Sequence, residues 1–497
     1  MFTRLFVTLP ALILRVISTA QAQSSKPNVV LRNHLLPLLA LLLGLPAWAQ
    51  DRPNIVVMMT DNQGYGDLNI YGGVRADTPN IDRLASEGVQ FMDFQVEPGC
   101  THTRAAFMTG RMPIRSGTDM FGIPGQPGGL HPKEVTIAEL MKGAGYATAN
   151  YGKWHLGEVH ERFPHMQGFD EWYGIANTSI PIDPALPGVN TEWLIPQEVL
   201  EGRAGEEATV VRTMDMEYRG LIDRDLTERS VDFIERNASA GEPFFLLTTF
   251  INTHHPVVPH PDFQGRSLGG AYTDALMEID HNVNQILTAI DDAGIRDDTI
   301  VIYFSDNGPT RYSPEPDHNG DNGPWSGELG SGWEGGLRTI GMMRWPGQIR
   351  ENWRSNEMIH VMDLYTTLGN IVGADIPTDR PIDGFDQTDY LLGNQERSAR
   401  DHRMVFYQGR LLAIRWKQFK AHFVIYDRYK SISSAPQDFG QIPRIYNLVS
   451  DPKELIDIFG ASGATPLFQP MAAQTAQYLA SFEEFPNNDY AEIERSK

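Results

Sequence analysis

The run C-T-H-T-R-A-A-F-M-T-G-R, from Cys100 to Arg111, contains the only cysteine among 497 residues. A lone thiol cannot form an internal disulfide, and it is too little for a structural zinc site. Two interpretations remain, a small apolar filler or a reactive atom. Residues 105–108 read as the first turns of a helix that Gly110 ends, so the sulfur lies near a helix N-terminus, where free N–H groups favour negative charge. Together with Arg104, the pattern predicts a site that holds an anion against Cys100.

This run resembles the signature of the sulfatase family, which reads C-x-P-S-R, three further residues and then L/M-T-G. Cys100, Arg104 and the T-G pair match it, whereas His102 stands at the proline position and Thr103 at the serine position. In that family the cysteine is oxidised to formylglycine (3-oxoalanine), whose hydrated aldehyde is the nucleophile, by a maturation enzyme that reads the proline position. The resemblance therefore implies 3-oxoalanine at residue 100 and a formylglycine-generating enzyme as a partner.

The first 49 residues read as an export signal region. Two segments each combine a basic residue, an apolar stretch and a small-residue motif, A-Q-A at 20–22 and A-W-A at 47–49. The second apolar stretch, L-L-P-L-L-A-L-L-L-G-L-P, is shorter than the ~20 residues that a membrane span needs. We therefore predict cleavage after Ala49, a periplasmic or secreted protein, and no stable membrane insertion after signal removal. A retained membrane anchor is the alternative, and the sequence does not decide which segment is used.

The rest of the chain is long enough for one large domain and a smaller one. We predict a catalytic domain at 51–398 and a small C-terminal α+β subdomain at 399–497. The content of 41% hydrophobic residues indicates an ordinary globular protein. A net charge of -22 without any basic run argues against nucleic acid and heparin-like polyanions as partners.

Short apolar runs alternate with helical patterns, which predicts an α/β fold. Five expected strands are each followed by polar residues: 54–60, 89–94, 147–151, 244–251 and 299–305. Ligands of open α/β sheets bind outside the carboxyl ends of the strands, so these polar residues should form one site. From residue 399, short strands and a helix near 470–482 predict a small antiparallel sheet with one helix. The family resemblance implies the same architecture, an alkaline-phosphatase-like large mixed β-sheet flanked by helices, with this smaller C-terminal unit.

Two acid–amide pairs follow the first and the last of these strands. Asp61 and Asn62, with Asp306 and Asn307, form an all-oxygen set that suits a hard cation, Ca²⁺ before Mg²⁺. For one such pair alone, a turn or a helix cap is the alternative. The resemblance implies that these four residues and Cys100 bind the ion, although the family has D-D where this chain has Asp61-Asn62. Relatives that use two zinc ions carry a histidine at the position of Asn307, which argues against zinc.

The hexapeptide G-K-W-H-L-G at residues 152–157 matches a family motif completely. A lysine can hold a sulfate oxygen, and a histidine can exchange a proton near neutral pH. The resemblance implies that Lys153 binds the sulfate and that His155 is the base when enzyme-bound sulfate is expelled. It also selects His254, in H-H-P, as a residue that contacts the sulfate or protonates the leaving oxygen. The implied catalytic set is Cys100, Arg104, Lys153, His155 and His254, of which Lys153 and His254 bind substrate.

The motif W-E-G-G-L-R at residues 333–338 matches the family pattern W-E-G-G-x-R. The family has a second active-site lysine four residues before the aromatic residue, where this chain has Leu329. Arg311, His318 and Arg338 are candidates to replace this lysine, and the sequence does not choose among them. Asp67 is expected to fix its loop rather than to bind the ion.

The leading prediction is an arylsulfatase-like enzyme that hydrolyses a sulfate monoester. The alternatives are a phosphate or phosphonate monoester hydrolase of the same superfamily and a non-catalytic homologue. Trp172, Tyr173 and Trp193 are equally compatible with stacking on a substrate ring and with ordinary packing. The sequence predicts neither the alcohol part of the substrate nor the oligomeric state.

Overall fold

The computed structural model describes residues 52–486 apart from 123, 126–127, 179–196, 311–318, 430–433, 441 and 462–463. The signal-like segments, Trp193, Arg311 and His318 lie outside the described residues. The chain from Pro53 onward groups into one compact unit, so a domain boundary at residue 399 stays a prediction. Within the described ranges, none of the helices combines the length and the apolar composition that crossing a bilayer requires.

Strands and helices alternate through the first two thirds of the described chain. The strands are β1 (Asn54–Thr60), β2 (Val89–Phe91), β3 (Phe94–Gln95), β4 (Ala147–Lys153), β5 (Glu171–Ile175), β6 (Glu198–Arg203), β7 (Thr209–Thr213), β8 (Phe244–Thr249), β9 (Thr299–Ser305), β10 (Arg338–Thr339), β11 (Gly341–Arg344), β12 (Trp353–Ser355), β13 (Ile359–His360), β14 (His402–Tyr407), β15 (Arg410–Trp416), β16 (Phe419–His422), β17 (Val424–Ile425), β18 (Gln437–Asp438) and β19 (Arg444–Asn447). The α-helices are α1 (Pro79–Ser86), α2 (Cys100–Thr109), α3 (Pro113–Ser116), α4 (Ile137–Gly143), α5 (Met216–Arg219), α6 (Ile222–Ala240), α7 (Ala271–Asp292), α8 (Glu334–Leu337), α9 (Val361–Val372), α10 (Thr388–Leu391) and α11 (Ala464–Glu484).

The large sheet has ten strands in the spatial order β12-β2-β11-β9-β1-β8-β4-β5-β6-β7. Its centre, from β9 to β5, is parallel, whereas β11, β6 and β7 run antiparallel to their neighbours. The central β1 is buried along its whole length because parallel neighbours flank it and helices cover both faces. This arrangement confirms the predicted large mixed sheet.

Alternate residues of β1 face two separate hydrophobic clusters. Ile55, Val57 and Met59 pack with residues of α2, α4 and α9 on one face. Val56 and Met58 pack with residues of α1, α6 and α7 on the other face. The period of two along the strand therefore supplies both layers of the core.

The strand expected at 89–94 is interrupted, and this part of the prediction was wrong. β2 ends at Phe91, and β3 joins a separate three-stranded sheet in the order β10-β3-β13. Asp93, between the two strands, is buried and lies 2.5 Å from Arg415 of β15. The chain turns at this point because the carboxylate is directed into an ionic cluster rather than into the apolar core.

The C-terminal part contains a four-stranded antiparallel sheet, β14-β15-β16-β19. Met471 of α11 is buried in the main hydrophobic cluster, with Phe468 and Phe482 packed against it. The predicted small antiparallel sheet with one helix is therefore confirmed.

A buried ionic cluster joins this small sheet to the helix α8. Glu454 accepts a hydrogen bond from the backbone N–H of Glu334 at 2.8 Å and lies 2.6 Å from Nε2 of His422. Nζ of Lys420 lies 2.8 Å from Glu334 and 3.5 Å from Glu454. Burial alone would raise the pKa of Glu454, but attraction by Lys420 and His422 outweighs it and lowers the pKa. The cluster therefore holds two carboxylates in their charged form.

We expect Glu454→Ala to destabilise the protein by about 3–5 kcal/mol, because it leaves the buried Lys420 ammonium with only one partner acid. Denaturant unfolding would measure the loss. Glu483→Ala, on an exposed part of α11, is the matched control and should change the free energy of unfolding by less than about 0.5 kcal/mol. Equal stability of the two variants would contradict the role of the cluster.

Candidate active site

The predicted site residues meet at the carboxyl ends of four adjacent parallel strands. Asp61 and Asn62 follow β1, and Asp306 and Asn307 follow β9. Lys153 is the last residue of β4, and His254 lies in the loop after β8. Because β9, β1, β8 and β4 are neighbours in that order, one edge of the sheet brings these residues together.

Cys100 is the first residue of α2, whose free N–H groups point toward this edge. The preceding Gly99 is extended, and a Cβ there would lie 2.5 Å from the ring of Phe121. Gly110 ends the helix in the left-handed region at φ 66°. Thr103 accepts a hydrogen bond from the backbone of Glu97 at 2.9 Å, so the threonine keeps a hydroxyl contact at the position where the signature has serine. The predicted end of the helix at Gly110 is thus confirmed, whereas the helix begins at Cys100, before the first turns predicted at residues 105–108.

One carboxylate oxygen each from Asp61 and Asp306 and the sulfur of Cys100 all lie within 4.8 Å of one another, and all three residues are buried. Oδ1 of Asp61 and Oδ1 of Asn307 are buried and accept no hydrogen bond from the described residues. The amide of Asn307 also donates to Oδ1 of Asn62 at 2.6 Å. Buried oxygen atoms without donors, beside two carboxylates, are what a bound hard cation would satisfy. The residues therefore fit a divalent cation.

Two cations face this acidic group from within the protein. Nζ of Lys153 donates to Asp61 at 2.6 Å, and Nε of Arg104 donates to Asp306 at 3.0 Å. Arg104 also donates to the backbone carbonyl of Lys153 at 2.6 Å, which fixes its guanidinium. Burial would raise the pKa of Asp61, but attraction by Lys153, His254 and Arg104 lowers it overall. Burial and repulsion by Asp61 raise the pKa of Asp306 to about 6.

Thr178 connects Lys153 to His254, and the sequence analysis missed it. Its Oγ1 lies 3.3 Å from Nζ of Lys153 and 3.2 Å from Nε2 of His254. The residue follows β5, a strand that the sequence analysis did not predict. The rule that polar residues follow strand ends would have found it, had that strand been recognised.

Of the two histidines of the site, His155 is buried and His254 is partly buried. Nε2 of His155 lies 3.1 Å from the carbonyl oxygen of Gly122, and Nδ1 of His254 lies 2.7 Å from the carbonyl oxygen of His255. Burial lowers the pKa of His254 to about 3, and burial together with Lys153 lowers the pKa of His155 well below its ordinary value. Both rings are therefore neutral at pH 7. Burial also raises the pKa of the Cys100 thiol to about 11.

The residues that depart from the family signature lie close to Cys100. His102 is fully buried on the first turn of α2, with ring centroids 5.3 Å from Phe121 and 5.3 Å from Tyr407. Leu329 is buried, and the next residue donates to the carbonyl of Pro98 at 2.7 Å. Two aromatic rings thus pack against the imidazole that stands at the proline position of the family signature.

Other candidates lie elsewhere in the fold. Arg338 does not replace the lysine missing at 329, because its guanidinium stacks on Trp325 and lies near Asp93. Asp67 accepts hydrogen bonds from Gly64, Tyr272 and Asp321, so it fixes its loop as expected. Two aromatic candidates pack in the interior: Trp172 and Tyr173.

Glu97, which precedes α2, provides a pH-dependent contribution to stability. Burial, opposed by attraction to Arg403, raises the pKa of this carboxyl from its ordinary 4.5 to about 7. The folded state therefore holds the proton more tightly, and stability is lost as pH rises through this range. Glu97→Gln has no proton to release at this position. We therefore expect its free energy of unfolding, relative to that of wild type, to rise by on the order of 2–3 kcal/mol from pH 5 to pH 8. Denaturant titrations at both pH values would measure this. An equal difference in the free energy of unfolding between variant and wild type at pH 5 and at pH 8 would contradict the prediction.

A family model described as Sulfatase matches residues 53–374, and a second, described as N-sulphoglucosamine sulphohydrolase, C-terminal, matches residues 332–480. N-acetylgalactosamine-6-sulfatase of Canis lupus familiaris is 37% identical over 393 residues, covering 76% of this chain and 73% of that protein. The chain belongs to the sulfatase family. Sulfatases are sulfuric ester hydrolases, so the leading prediction of an enzyme that hydrolyses sulfate esters is confirmed.

Other relatives of this sulfatase support the same assignment. Steryl-sulfatase of Homo sapiens is 34% identical over 438 residues, covering 74% of this chain and 74% of that protein. Among solved structures, PsFucS1 sulfatase from Pseudoalteromonas sp. superposes with a TM-score of 0.81 and 30% identity, covering 93% of this chain and 96% of that one. The alkaline-phosphatase-like fold of the sulfatases is therefore the fold of this chain.

Proposed function

We propose that this sulfatase removes sulfate from a carbohydrate sulfate monoester, with oxidised Cys100 as the nucleophile and a divalent cation beside it. The observation that carries the proposal is the buried group of Asp61, Cys100 and Asp306, with ligand atoms within 4.8 Å of one another at the start of α2. In the 3-oxoalanine form, residue 100 would supply a hydroxyl of its hydrated aldehyde in place of the sulfur.

The residues that would hold the cation are Asp61, Asn62, Asp306 and Asn307, together with residue 100. Oxygen donors favour Ca²⁺, and Mg²⁺ is the less favoured alternative. When bound, the ion would supply positive charge next to the nucleophile and the sulfate oxygens. The unsatisfied oxygens of Asp61 and Asn307 support this assignment.

Lys153 and Arg104 position the charged groups of the site. Lys153 uses two of its donors on Asp61 and Thr178, which leaves a third N–H for a sulfate oxygen. Arg104 holds Asp306 and the end of β4 together, so it orients the ligand oxygens. Both side chains are buried, and their electrostatic attraction to an oxyanion is therefore weakly screened.

His155 and His254 are the proton-transfer groups in this proposal. Each ring is neutral and has one nitrogen hydrogen-bonded to a backbone carbonyl. Since a nitrogen that donates to a carbonyl carries the proton, the other ring nitrogen is the basic one. His155 would accept a proton from residue 100 when sulfate is expelled, and His254 would contact the sulfate or the leaving oxygen.

The name of one relative favours a sugar as the alcohol. N-acetylgalactosamine-6-sulfatase of Canis lupus familiaris is 37% identical to this chain. Steryl-sulfatase, at 34% identity, supports a steroid ester as the second candidate. Kinetics with N-acetylgalactosamine 6-sulfate, a steroid sulfate and nitrophenyl sulfate would rank them, and we expect the highest kcat/KM for the sugar.

We also propose that the chain is exported and matured by a formylglycine-generating enzyme. The two signal-like segments before residue 50 and the match around Cys100 support these assignments. Mass spectrometry of the peptide containing Cys100, from protein made in its native host, tests the maturation. An aldehyde at residue 100 is the expected result, and a wholly intact thiol in active protein would refute the proposed nucleophile.

The chain has leucine at position 329, where the family has a lysine, and this difference leads to a prediction about substrate binding. We expect Leu329→Lys to lower KM for a sulfate ester about tenfold, because a charge-assisted hydrogen bond contributes ~1.5–3 kcal/mol. Leu268→Lys, at a fully exposed position, adds the same charge and is the control. An unchanged KM in Leu329→Lys that folds normally would show that other groups already fill this role.

A further inference from the structure

A cleft of about 940 Å³ lies beside the beginning of β3, whereas Cys100 follows the end of that strand. Asp93, directly before β3, is one of its lining residues. The residues used below also line it: Trp325, Arg338, Asn356, Arg397, Lys417 and Gln418. We call this cavity the Arg338 cleft. None of the groups assigned to catalysis or to the cation belongs to its lining.

Arg338 presents its guanidinium to this cleft in a fixed orientation. The guanidinium carbon lies 4.0 Å from the centre of the Trp325 ring, and Nε donates to the carbonyl of Met92 at 2.9 Å. Nε is also 3.6 Å from Asp93 and Nη1 is 3.9 Å from Glu334, but neither terminal nitrogen makes a hydrogen bond with the described residues. Two coplanar donors are therefore held in place without acceptors, which matches the two oxygens of a carboxylate or one edge of a sulfate.

Two further cations stand at the same cleft. Nζ of Lys417 lies 4.7 Å from the centre of the Trp416 ring, and within the described ranges it has no carboxylate within 4.0 Å. The side chain of Arg397 is 83% exposed and lies 3.7 Å from Glu357. Five basic side chains line this concave region against three acidic ones, Asp93, Glu357 and Asp401, in a chain whose net charge is -22. A local positive potential in a concave surface attracts anions from solution.

The other two arginines of the cleft do not contribute in this way. Arg400 donates to both carboxylate oxygens of Asp363, at 3.0 and 2.9 Å from Nε. Arg415 donates to Asp93 at 2.9 Å and to Glu334 at 3.1 Å. Their charges are neutralised by these hydrogen-bonded carboxylates.

We propose that the Arg338 cleft binds an anionic saccharide, with its sulfate or carboxylate on Arg338 and its flanking charges on Lys417 and Arg397. The side-chain amides of Asn356 and Gln418 are donors and acceptors for sugar hydroxyls. Its volume lies within the roughly 300–1,000 Å³ that is typical of ligand sites. The inference rests on the proposed function in one respect, that the substrate is a carbohydrate, and it places a second glycan site away from the catalytic centre.

The test uses the full chain with Cys100→Ala, so that bound sulfate esters are not hydrolysed. Calorimetry measures the affinity of a chondroitin 6-sulfate hexasaccharide, of its desulfated form, which keeps the carboxylates, and of an uncharged chitin hexasaccharide. The test variant is Lys417→Glu with Arg397→Glu. The control is Lys133→Glu with Lys142→Glu, which makes the same change of charge at two exposed lysines outside the cleft.

We expect the test variant to bind the sulfated hexasaccharide at least tenfold more weakly than the control does. Arg338→Lys keeps the charge but loses the two-pronged donor, and we expect about a fivefold loss. Hydrogen exchange should show ligand-dependent protection at 356–358 and 448–452. Retained affinity for the desulfated form assigns the carboxylate as the bound group, and lost affinity assigns the sulfate; either result supports an anionic saccharide.

Equal affinities of the test and control variants, or equal binding of the uncharged hexasaccharide, would overturn the proposal. Turnover of N-acetylgalactosamine 6-sulfate by the same variants with Cys100 intact separates this result from the catalytic one. If turnover persists while the cleft variants bind normally, the second site is wrong and the proposed function stands. If no sugar ester is hydrolysed but cleft binding is lost in the test variant, the cleft stands and the proposed substrate is wrong.

Discussion

Cys100→Ala should lower kcat by on the order of 10⁴ to 10⁶, because it removes the proposed covalent nucleophile, on which the proposed roles of the other groups depend. The side chain is buried at the start of α2, beside Asp61 and Asp306, whose carboxylates are hydrogen-bonded to Lys153 and Arg104. Initial rates on a sulfate ester, with enzyme concentration corrected for the fraction of matured protein, would measure the loss. The variant should keep its fold, since alanine is a good helix former and only the sulfur atom is removed.

Thr109→Ala is the matched control for this change. Thr109 lies at the other end of α2, where its hydroxyl donates to the carbonyl of Ala105 at 2.8 Å within the helix. We expect its kcat to stay within about threefold of wild type, because no group of the site contacts it. Activity of Cys100→Ala within tenfold of this control would place the nucleophile on another residue.

Asp61→Asn should lower kcat/KM by about 10²–10³ and raise the Ca²⁺ concentration needed for half-maximal activity. This carboxylate has one oxygen without a hydrogen-bond donor and one that accepts from Lys153. Its replacement removes one of the two carboxylate charges at the proposed cation site, where Asn62 and Asn307 would supply only amide oxygens. Calcium titration after treatment with a chelator would measure both effects.

Asp67→Asn provides the control for this prediction. Asp67 is equally buried and lies on the same loop, but its oxygens accept from Gly64, Tyr272 and Asp321. In the asparagine variant an NH2 group would replace one of the acceptor oxygens and would face a hydrogen-bond donor. The lost hydrogen bond should lower the free energy of unfolding by about 1–3 kcal/mol. We expect its half-maximal calcium concentration to remain that of wild type. If both variants shift the calcium requirement equally, Asp61 is not a specific ligand.

Much of the site was predictable because parallel strands place their carboxyl ends at one edge. Asp61, Lys153 and Asp306 were found from polar residues that follow apolar runs, and the structure brings them into direct contact around Arg104. Their assignment as ligands and catalytic groups remains a proposal. Thr178 was not predicted because it follows β5, which the sequence analysis did not identify as a strand. The residues of β5, two of them aromatic, showed no pattern that distinguishes a strand from a loop.

Charge pairing was the part that the sequence could not predict. The W-E-G-G-L-R motif indicated neither that Glu334 would bind Lys420 of a strand about ninety residues later nor that Arg338 would stack on Trp325. Such contacts join residues distant in the chain, and local periodicity carries no information about them. For the same reason, Arg338 stood among the candidates for the missing lysine until its position was known.

The sequence by itself determined the α/β class, a helix after Cys100 that ends at Gly110 and the sulfatase signature, since hydrophobic period, glycine stops and short motifs are local properties. Only the tertiary structure decided which polar groups share one buried volume, that His102 packs against two aromatic rings, and that a cleft lined by basic side chains lies beside the beginning of β3. Burial and pairing set the charge states of these groups, and both depend on which distant segments pack together.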